Sequence, residues 1–354
     1  MHLRRSEERT ELVEGLVAAL SAGRGRRVGL DGVLADLNRT ADVVRVPAPA
    51  ATWGFRWNAQ DNDSPRWWPQ GITTSADHDE SEEYDGRRVV ITSAYSKEIA
   101  GLGKGARISV VDLAGGKKVR YRHVLLVDVV RRKDGAVDVR PLRVHAGGIV
   151  WHRDHLHVAG TARGISSFRL DDIVRVGSIG DPRVLGVGRG SLGYRYLLPV
   201  RFTYDAFADE GHERMRYSFL SLDRRGEVPR LLAGEYGRKG GTTRLVGFGI
   251  DPTTGLLRLS DDGHASPLSL SPQGVEGMQG ATVVDGRWYV STSAGRYLRG
   301  SMYVGRPGSF RRRPLVLPVG VEDLSYWPSR DQLWSVTEYP GRRYVFAMDR
   351  ERLS

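Results

Sequence analysis

The strongest constraint on this chain is an internal repeat. Between residues 70 and 349 one grammar recurs: a small or polar lead-in, an apolar run, a turn, a second run ending in small hydroxyl residues, then a third run. In the first copy Gln70-Gly71-Ile72 leads to residues 88–94 and then 107–113. In the second, Gly147-Gly148-Ile149-Val150-Trp151 turns through Arg153-Asp154 into residues 155–161 and 164–170. A later copy starts at Gln279-Gly280-Ala281, turns at Asp285-Gly286 and continues through 287–293 and 301–304. The last runs from Glu322-Asp323-Leu324 through 332–338 to 343–349, and a more divergent copy occupies 216–222, 230–236 and 243–250. Short apolar runs separated by Gly, Asp, Pro and Ser read as strands, so the chain is all-β beyond its first 40 residues.

A unit of three or four strands cannot bury its own apolar faces, and radial packing against like units solves that problem while leaving few open edges. Five copies therefore predict a five-bladed β-propeller. Outer fourth strands are expected at 123–130, 194–203, 256–260 and 314–319. The last copy has none, and Asp42-Val43-Val44-Arg45-Val46 is expected to supply it and close the ring. A six-bladed ring would need residues 172–215 to form an extra blade, although they hold one convincing strand and a Gly-rich linker.

The start of the chain reads differently. Leu12, Val13, Leu16, Val17 and Leu20 fall on one stripe of an amphipathic helix over 7–21, with Glu7, Glu8 and Glu11 in its first turns and Gly23 after its end. A second short helix is expected over 31–37. The expected division is a helical N-terminal extension over 1–40 and a propeller domain over 41–354.

Composition narrows the chemistry. Cysteine is absent, which removes disulfides, thiolate nucleophiles and cysteine metal sites, leaving His, carboxylates, hydroxyls and Arg. The formal charge of +11 would suit a polyanion partner. Only six of the 53 basic residues are Lys, however, and the basic clusters at 117–122, 131–133 and 311–313 are scattered beside turns, so nucleic-acid binding is not expected. No apolar stretch is long enough to span a bilayer. The N-terminus carries acids where a secretory signal needs an apolar run, so a cytoplasmic location is expected.

The Gln-Gly-Ile-Thr and His-Ala-Gly-Gly-Ile-Val-Trp lead-ins make residues 42–350 resemble the β-propeller superfamily, and within it uncharacterised actinobacterial propeller proteins. That resemblance implies a fold and no reaction. Five-bladed glycosidases are similar in architecture, and their inner strands carry three carboxylates; the candidates here are Glu276, Glu322 and, beside the latter, Asp323.

Residues leading into the innermost strands of a propeller face one mouth. Aligning the copies brings Gln70, Gly147, Gln279 and Glu322 to equivalent places, with His145 before Gly147, Glu276 before Gln279, and Arg214 or Arg216 from the divergent copy. Glu322 and Glu276 are the expected acid–base pair, His145 a proton carrier, and Gln70, Gln279, Arg216 and Asp323 the ligand-orienting groups. Inner-strand polar residues also satisfy the backbone of neighbouring blades, the competing role for each of them.

Three further features carry metal-ligating or aromatic side chains. His152, His155 and His157 invite a metal reading, but the first two flank a turn and no fourth ligand is identifiable, so a solvent-facing strand edge is expected. The acids Asp77, Asp79, Glu80, Glu82, Glu83 and Asp85 could hold a divalent cation such as calcium, though they lack the Gly of a calcium loop. Trp53, Phe55, Trp57, Trp67 and Trp68 are expected to pack the ring closure, with a ligand platform as the alternative. The resulting expectation is an enzyme that processes a small organic or sugar-like ligand by hydrolase, lyase or cyclase chemistry. The alternative is a binding scaffold that docks a macromolecule or polyanion through its rim loops.

Overall fold

The computed structural model describes residues 1–21, 25–177, 193–224 and 228–353. The chain is mostly β, and five four-stranded antiparallel units follow one another along it in the order of the sequence repeats. The first comprises Trp67–Thr74, Val89–Ser96, Ala106–Asp112 and Lys118–Arg131. The second comprises Ile149–His152, His155–Ala159, Gly164–Arg169 and Phe202–Phe207. Phe219–Asp223, Arg230–Gly234, Leu245–Gly249 and Pro267–Ser271 make the third. Met278–Val284, Arg287–Ala294, Leu298–Arg306 and Ser309–Leu317 make the fourth. The fifth is Val321–Trp327, Gln332–Thr337, Tyr344–Asp349 and, from the other end of the sequence, Ala51–Arg56.

The lead-in glycines explain why the repeat has the spelling it does. A Cβ on Gly71 would stand 2.9 Å from the Ile149 nitrogen, one on Gly148 2.0 Å from the Leu220 nitrogen, and one on Gly280 2.6 Å from the Asp323 Cα. Each glycine therefore lets the innermost strand of one sheet touch the backbone of the next, an approach that any side chain would block. The remaining neighbours are joined by polar groups: Ser221 Oγ donates to the Ala281 carbonyl at 2.5 Å, and Asp323 Oδ2 accepts from the Ile72 nitrogen at 3.2 Å. The first innermost strand thus meets the second, the second the third, and so on until the fifth returns to the first.

The hydroxyls that end the second runs have a related use. Ser93 Oγ donates to the Ala146 carbonyl at 2.7 Å while accepting from the Gly71 nitrogen, and Ser291 Oγ donates to the Glu322 carbonyl at 2.8 Å. Buried backbone groups at the sheet junctions are satisfied in this way.

Several strand assignments differ from expectation. The outer strand of the fifth sheet is Ala51–Arg56 rather than residues 42–46: Val345 faces Phe55 and Phe346 faces Gly54. Gly54 permits this, because a Cβ there would lie 2.7 Å from the Val345 carbonyl oxygen. Arg39–Val43 instead pairs with the first sheet, Ala41 opposite Val119, and touches Ala51–Arg56 through Asp42 and Arg56. In the third sheet the outer strand is Pro267–Ser271, with its period-2 alternation, while Leu256 and Leu257 are both buried in the apolar core. Tyr196–Pro199 runs parallel to Lys118–Arg131 of the first sheet and leaves the fourth place of the second sheet to Phe202–Phe207. Of the segment 172–215 considered for a sixth blade, residues 178–192 lie outside the described residues.

The first 40 residues are more than a helical extension. His2–Arg5 adds to the second sheet, Leu3 opposite Ala206. Helix Thr10–Ser21 buries Val13, Leu16 and Leu20, the last two packing with Leu125, Val127 and Val129 of the first sheet. Its stripe matches the predicted one, and it packs on one face of the Lys118–Arg131 strand rather than projecting from the domain. The second helix is Gly29–Leu34. Among the described residues no helix is long and apolar enough to cross a membrane.

Candidate active site

Three of the five innermost strands carry a break in register at the lead-in position: between Pro69 and Ile72, between Met278 and Gly280, and between Val321 and Leu324. A bulge re-aims side chains that would otherwise alternate between the two faces of a strand. Gln70, Gln279 and Glu322 occupy these breaks and line one cavity of about 590 Å³, together with His145, Arg216, Ser218, Tyr236, Arg238, Thr161 and Glu338. That volume is in the range of small-molecule sites.

Two carboxyls define its chemistry. Glu322, only 3% exposed, accepts from Gln279 Nε2 at 3.2 Å. Glu338, at the end of the second strand of the same sheet, accepts from Gln70 Nε2 at 3.2 Å. Burial pushes the Glu322 carboxyl well above the usual range, and the charges of Glu338 and Asp323 push it further. Burial also raises Glu338, against the opposing pull of hydrogen bonds from Tyr339 and Gln70 and the charges of Lys97 and Arg343. The Lys97 ammonium sits 3.1 Å over the Trp68 ring, and burial holds its pKa below the ordinary lysine value.

Tyr95 lines an adjoining hollow that shares His145 with this cavity. The Tyr95 ring lies 4.5 Å from that of His145, and burial with the charges of Glu338 and Glu322 pushes its hydroxyl up to about 12. Tyr95 therefore remains a hydrogen-bond donor at neutral pH. His145 is open to the cavity, yet the surrounding protein removes enough water from the ring to lower its pKa, so the imidazole is neutral there. Ala146 beside it adopts φ +54, and Thr161, a β-branched residue, adopts φ +55. Left-handed backbone at a β-branched residue is rare; Ala146 is held at the junction of the first and second sheets by Ser93, and Thr161 is held toward the third by its bridge to Tyr217.

Of the residues expected at the mouth, Glu322, His145, Gln70, Gln279 and Arg216 are brought together. Glu276 and Asp323 are not. Glu276 is exposed and outside the cavity lining, its carboxylate accepting from the Lys239 nitrogen at 2.7 Å. Asp323 is fully buried and turns to the opposite side of the bulge, where Oδ2 takes the Ile72 and Ile149 nitrogens at 3.2 and 3.3 Å. It therefore joins the backbones of two other sheets instead of meeting a ligand. Glu338, Tyr95, Tyr236 and Arg238 were missed. They end or follow the second runs of their repeats, so aligning those ends as well as the lead-ins would have found them.

The other sequence candidates are dispersed. His152 and His157 are buried rather than solvent-facing, His152 Nδ1 lying 3.0 Å from the Asp77 carbonyl and His157 Nδ1 2.8 Å from Ser167 Oγ. In the acidic segment Asp77 is buried and accepts from Thr73 and Ser325, Asp79 from Ser81, and Glu82 from the Ser329 nitrogen, while Glu83 lies 3.4 Å from Arg88. Among the described residues no three His, Asp or Glu side chains are grouped so that they could hold a metal ion. Trp53 packs on Trp334, and Trp57 on Phe55 and Tyr121, across the joint between the fifth and first sheets.

No family model matches the chain, and no curated protein matches it. Among solved structures it is similar to a gluconolactonase from Xanthomonas campestris, at 11% identity over 89% of this chain and 88% of that one, with a TM-score of 0.39. It is also similar to a GH43_1 enzyme from Xanthomonas citri complexed with xylotriose, at 12% identity over 80% and 87%, TM-score 0.35. A third is the Cps50 (Swd1) β-propeller domain from Myceliophteria thermophila, at 10% identity over 81% and 98%, TM-score 0.35.

Proposed function

We propose that this chain is a five-bladed β-propeller whose axial cavity binds a small, polar, sugar-like molecule and acts on it by acid–base chemistry of a hydrolase, lyase or cyclase type. The blade number is supported by the five sheets whose innermost strands meet in sequence. The chemistry rests on one observation, the pairing of Glu322 and Glu338 in a single cavity with both carboxyls raised. Two interacting buried carboxyls lose their protons in separate steps, so the pair holds one acid and one base over a range of pH. A bound molecule between them can receive a proton from one and yield a proton to the other. Gln279 and Gln70 fix the two carboxyls, and the His145 ring, which lines the same cavity, supplies a hydrogen bond to a reacting oxygen atom.

The test is turnover of a panel of sugar lactones and aryl glycosides by the wild-type chain, Glu322→Gln, Glu338→Gln and, as a control outside the cavity, Glu276→Gln. Expected is a fall in kcat of about 100-fold or more in each of the first two with folding intact by circular dichroism, and no change in the third. Undiminished turnover in both cavity variants overturns the reading. A scaffold that docks a macromolecule through its rim would instead show no turnover and would keep its partner in every variant.

A further inference from the structure

Two exposed arginines, Arg216 and Arg238, stand at the cavity mouth. Most buried or half-buried arginines here are committed: Arg244 holds Glu235 through two hydrogen bonds of 2.6 Å, Arg107 holds Asp61 at 3.1 Å, and Arg230 holds Asp223 at 2.6 Å. Arg216 and Arg238 line the cavity and have no carboxylate within ion-pair distance among the described residues. Arg238 reaches only the Ser293 carbonyl, at 3.4 Å, and the face of Tyr236, 5.1 Å from the ring centroid. Glu235 is occupied by Arg244 and by the Arg216 backbone nitrogen at 2.9 Å, and the two acids in the cavity itself, Glu322 and Glu338, accept from Gln279 and Gln70.

The positive character continues beyond the cavity. A second hollow of about 420 Å³ shares His145 and Thr161 with it and is lined by Arg143 and Arg163, which likewise lack a carboxylate partner among the described residues, against one acid, Glu98. Two guanidinium groups that line one open cavity without an ion-pair partner among the described residues are donors of the kind that recognise a carboxylate or a phosphate.

We propose that the ligand of the axial cavity is an organic anion, its carboxylate or phosphate held by Arg216 and Arg238 while its neutral portion reaches Glu322 and Glu338. This rests on the acid–base reading of the same cavity and names the class of molecule that the reading leaves open. An acidic sugar fits both halves of the site.

The experiment is calorimetric binding to the full chain of three probes: methyl glucuronide, methyl glucoside and glucose 6-phosphate. Wild type, Arg216→Gln/Arg238→Gln and Glu338→Gln are compared. The glucuronide or the phosphate ester is expected to bind at least about tenfold more tightly than the neutral glucoside, and the double arginine variant to lose that margin. Preference for the glucuronide identifies a carboxylate as the recognised group, and preference for the ester a phosphate. Equal affinity for charged and neutral probes, no binding of either anion, or selectivity that survives in the double variant overturns the inference. Failure of the acid–base reading is seen separately: anion binding would persist in wild type, while turnover by Glu338→Gln would equal that of wild type.

Discussion

Gln279 donates its side-chain amide to Glu322 Oε1 at 3.2 Å, joining the fourth sheet to the fifth in the lining of the cavity. Gln70 repeats the arrangement from the first sheet to Glu338. Each carboxyl is thus positioned by an uncharged donor from a neighbouring sheet. Such a donor fixes geometry without contributing the positive charge that would pull the pKa back down.

Replacing Glu322 by Gln should stabilise the protein, and more so as the pH rises. The folded-state pKa lies above the unfolded value because burial and the charges of Glu338 and Asp323 oppose ionisation. The wild-type chain therefore loses stability as pH climbs from about 4.5 through the folded pKa, and Glu322→Gln does not. Melting temperatures of the two should coincide near pH 4 and separate by roughly 1–2 °C for each kcal/mol of relieved ionisation cost by pH 8. Parallel curves across that range would show that Glu322 is not held in a raised state.

Asp61 carries the opposite sign. It accepts from Arg39 and Arg107, each at 3.1 Å, from Tyr121 at 2.6 Å and from His123 at 3.0 Å, at the joint where residues 59–62 meet the first and fifth sheets. Burial alone would raise its pKa, but these donors and charges lower it far below the usual range. Stability from Asp61 is fully present above about pH 4 and is lost as pH falls toward the folded pKa. Asp61→Asn should cost about 3–5 kcal/mol at pH 7 by urea unfolding, because it strands buried arginines, and visibly less at pH 3.

Asp323 tests whether an acid at the axis serves the backbone. Asp323→Asn retains an oxygen to accept from the Ile72 and Ile149 nitrogens. Since burial already pushes the Asp323 carboxyl well up, the uncharged amide should be nearly neutral for stability. Asp323→Ala leaves two buried N–H groups unpaired and should cost about 1–3 kcal/mol for each. Equal denaturant midpoints for the Asn and Ala variants would remove this role.

The lead-in glycines make a steric prediction. Gly148→Ala places a methyl group 2.0 Å from the Leu220 nitrogen, against backbone that cannot rotate away. The second and third innermost strands must then separate, at a cost of about 1–3 kcal/mol or more. Gly286→Ala, at a turn with open space but φ +73, provides the comparison: its penalty is strain alone. A melting temperature for Gly148→Ala above that of Gly286→Ala would contradict the close-approach argument.

The sequence by itself determined the repeat and the strand-rich fold, because these depend on local pattern; that the lead-in glycines mark where innermost strands touch emerged from the structure. The sequence also determined that Gln70, Gln279, Glu322 and His145 would share a mouth, since equivalent places in a radial repeat converge. Only the tertiary structure decided which acids enter the site. A register break at Glu322-Asp323 sends adjacent carboxyls to opposite sides, one to the cavity and one to the backbone of neighbouring sheets. Glu276 stays outside, and Glu338 enters from the end of a second strand. The outer strand of the fifth sheet was likewise settled by long-range pairing: residues 42–46 read as the closing strand, but Arg39–Val43 pairs with the first sheet and Ala51–Arg56 takes the edge of the fifth. Bulges and edge pairing depend on contacts between residues hundreds of positions apart, which local propensity does not encode.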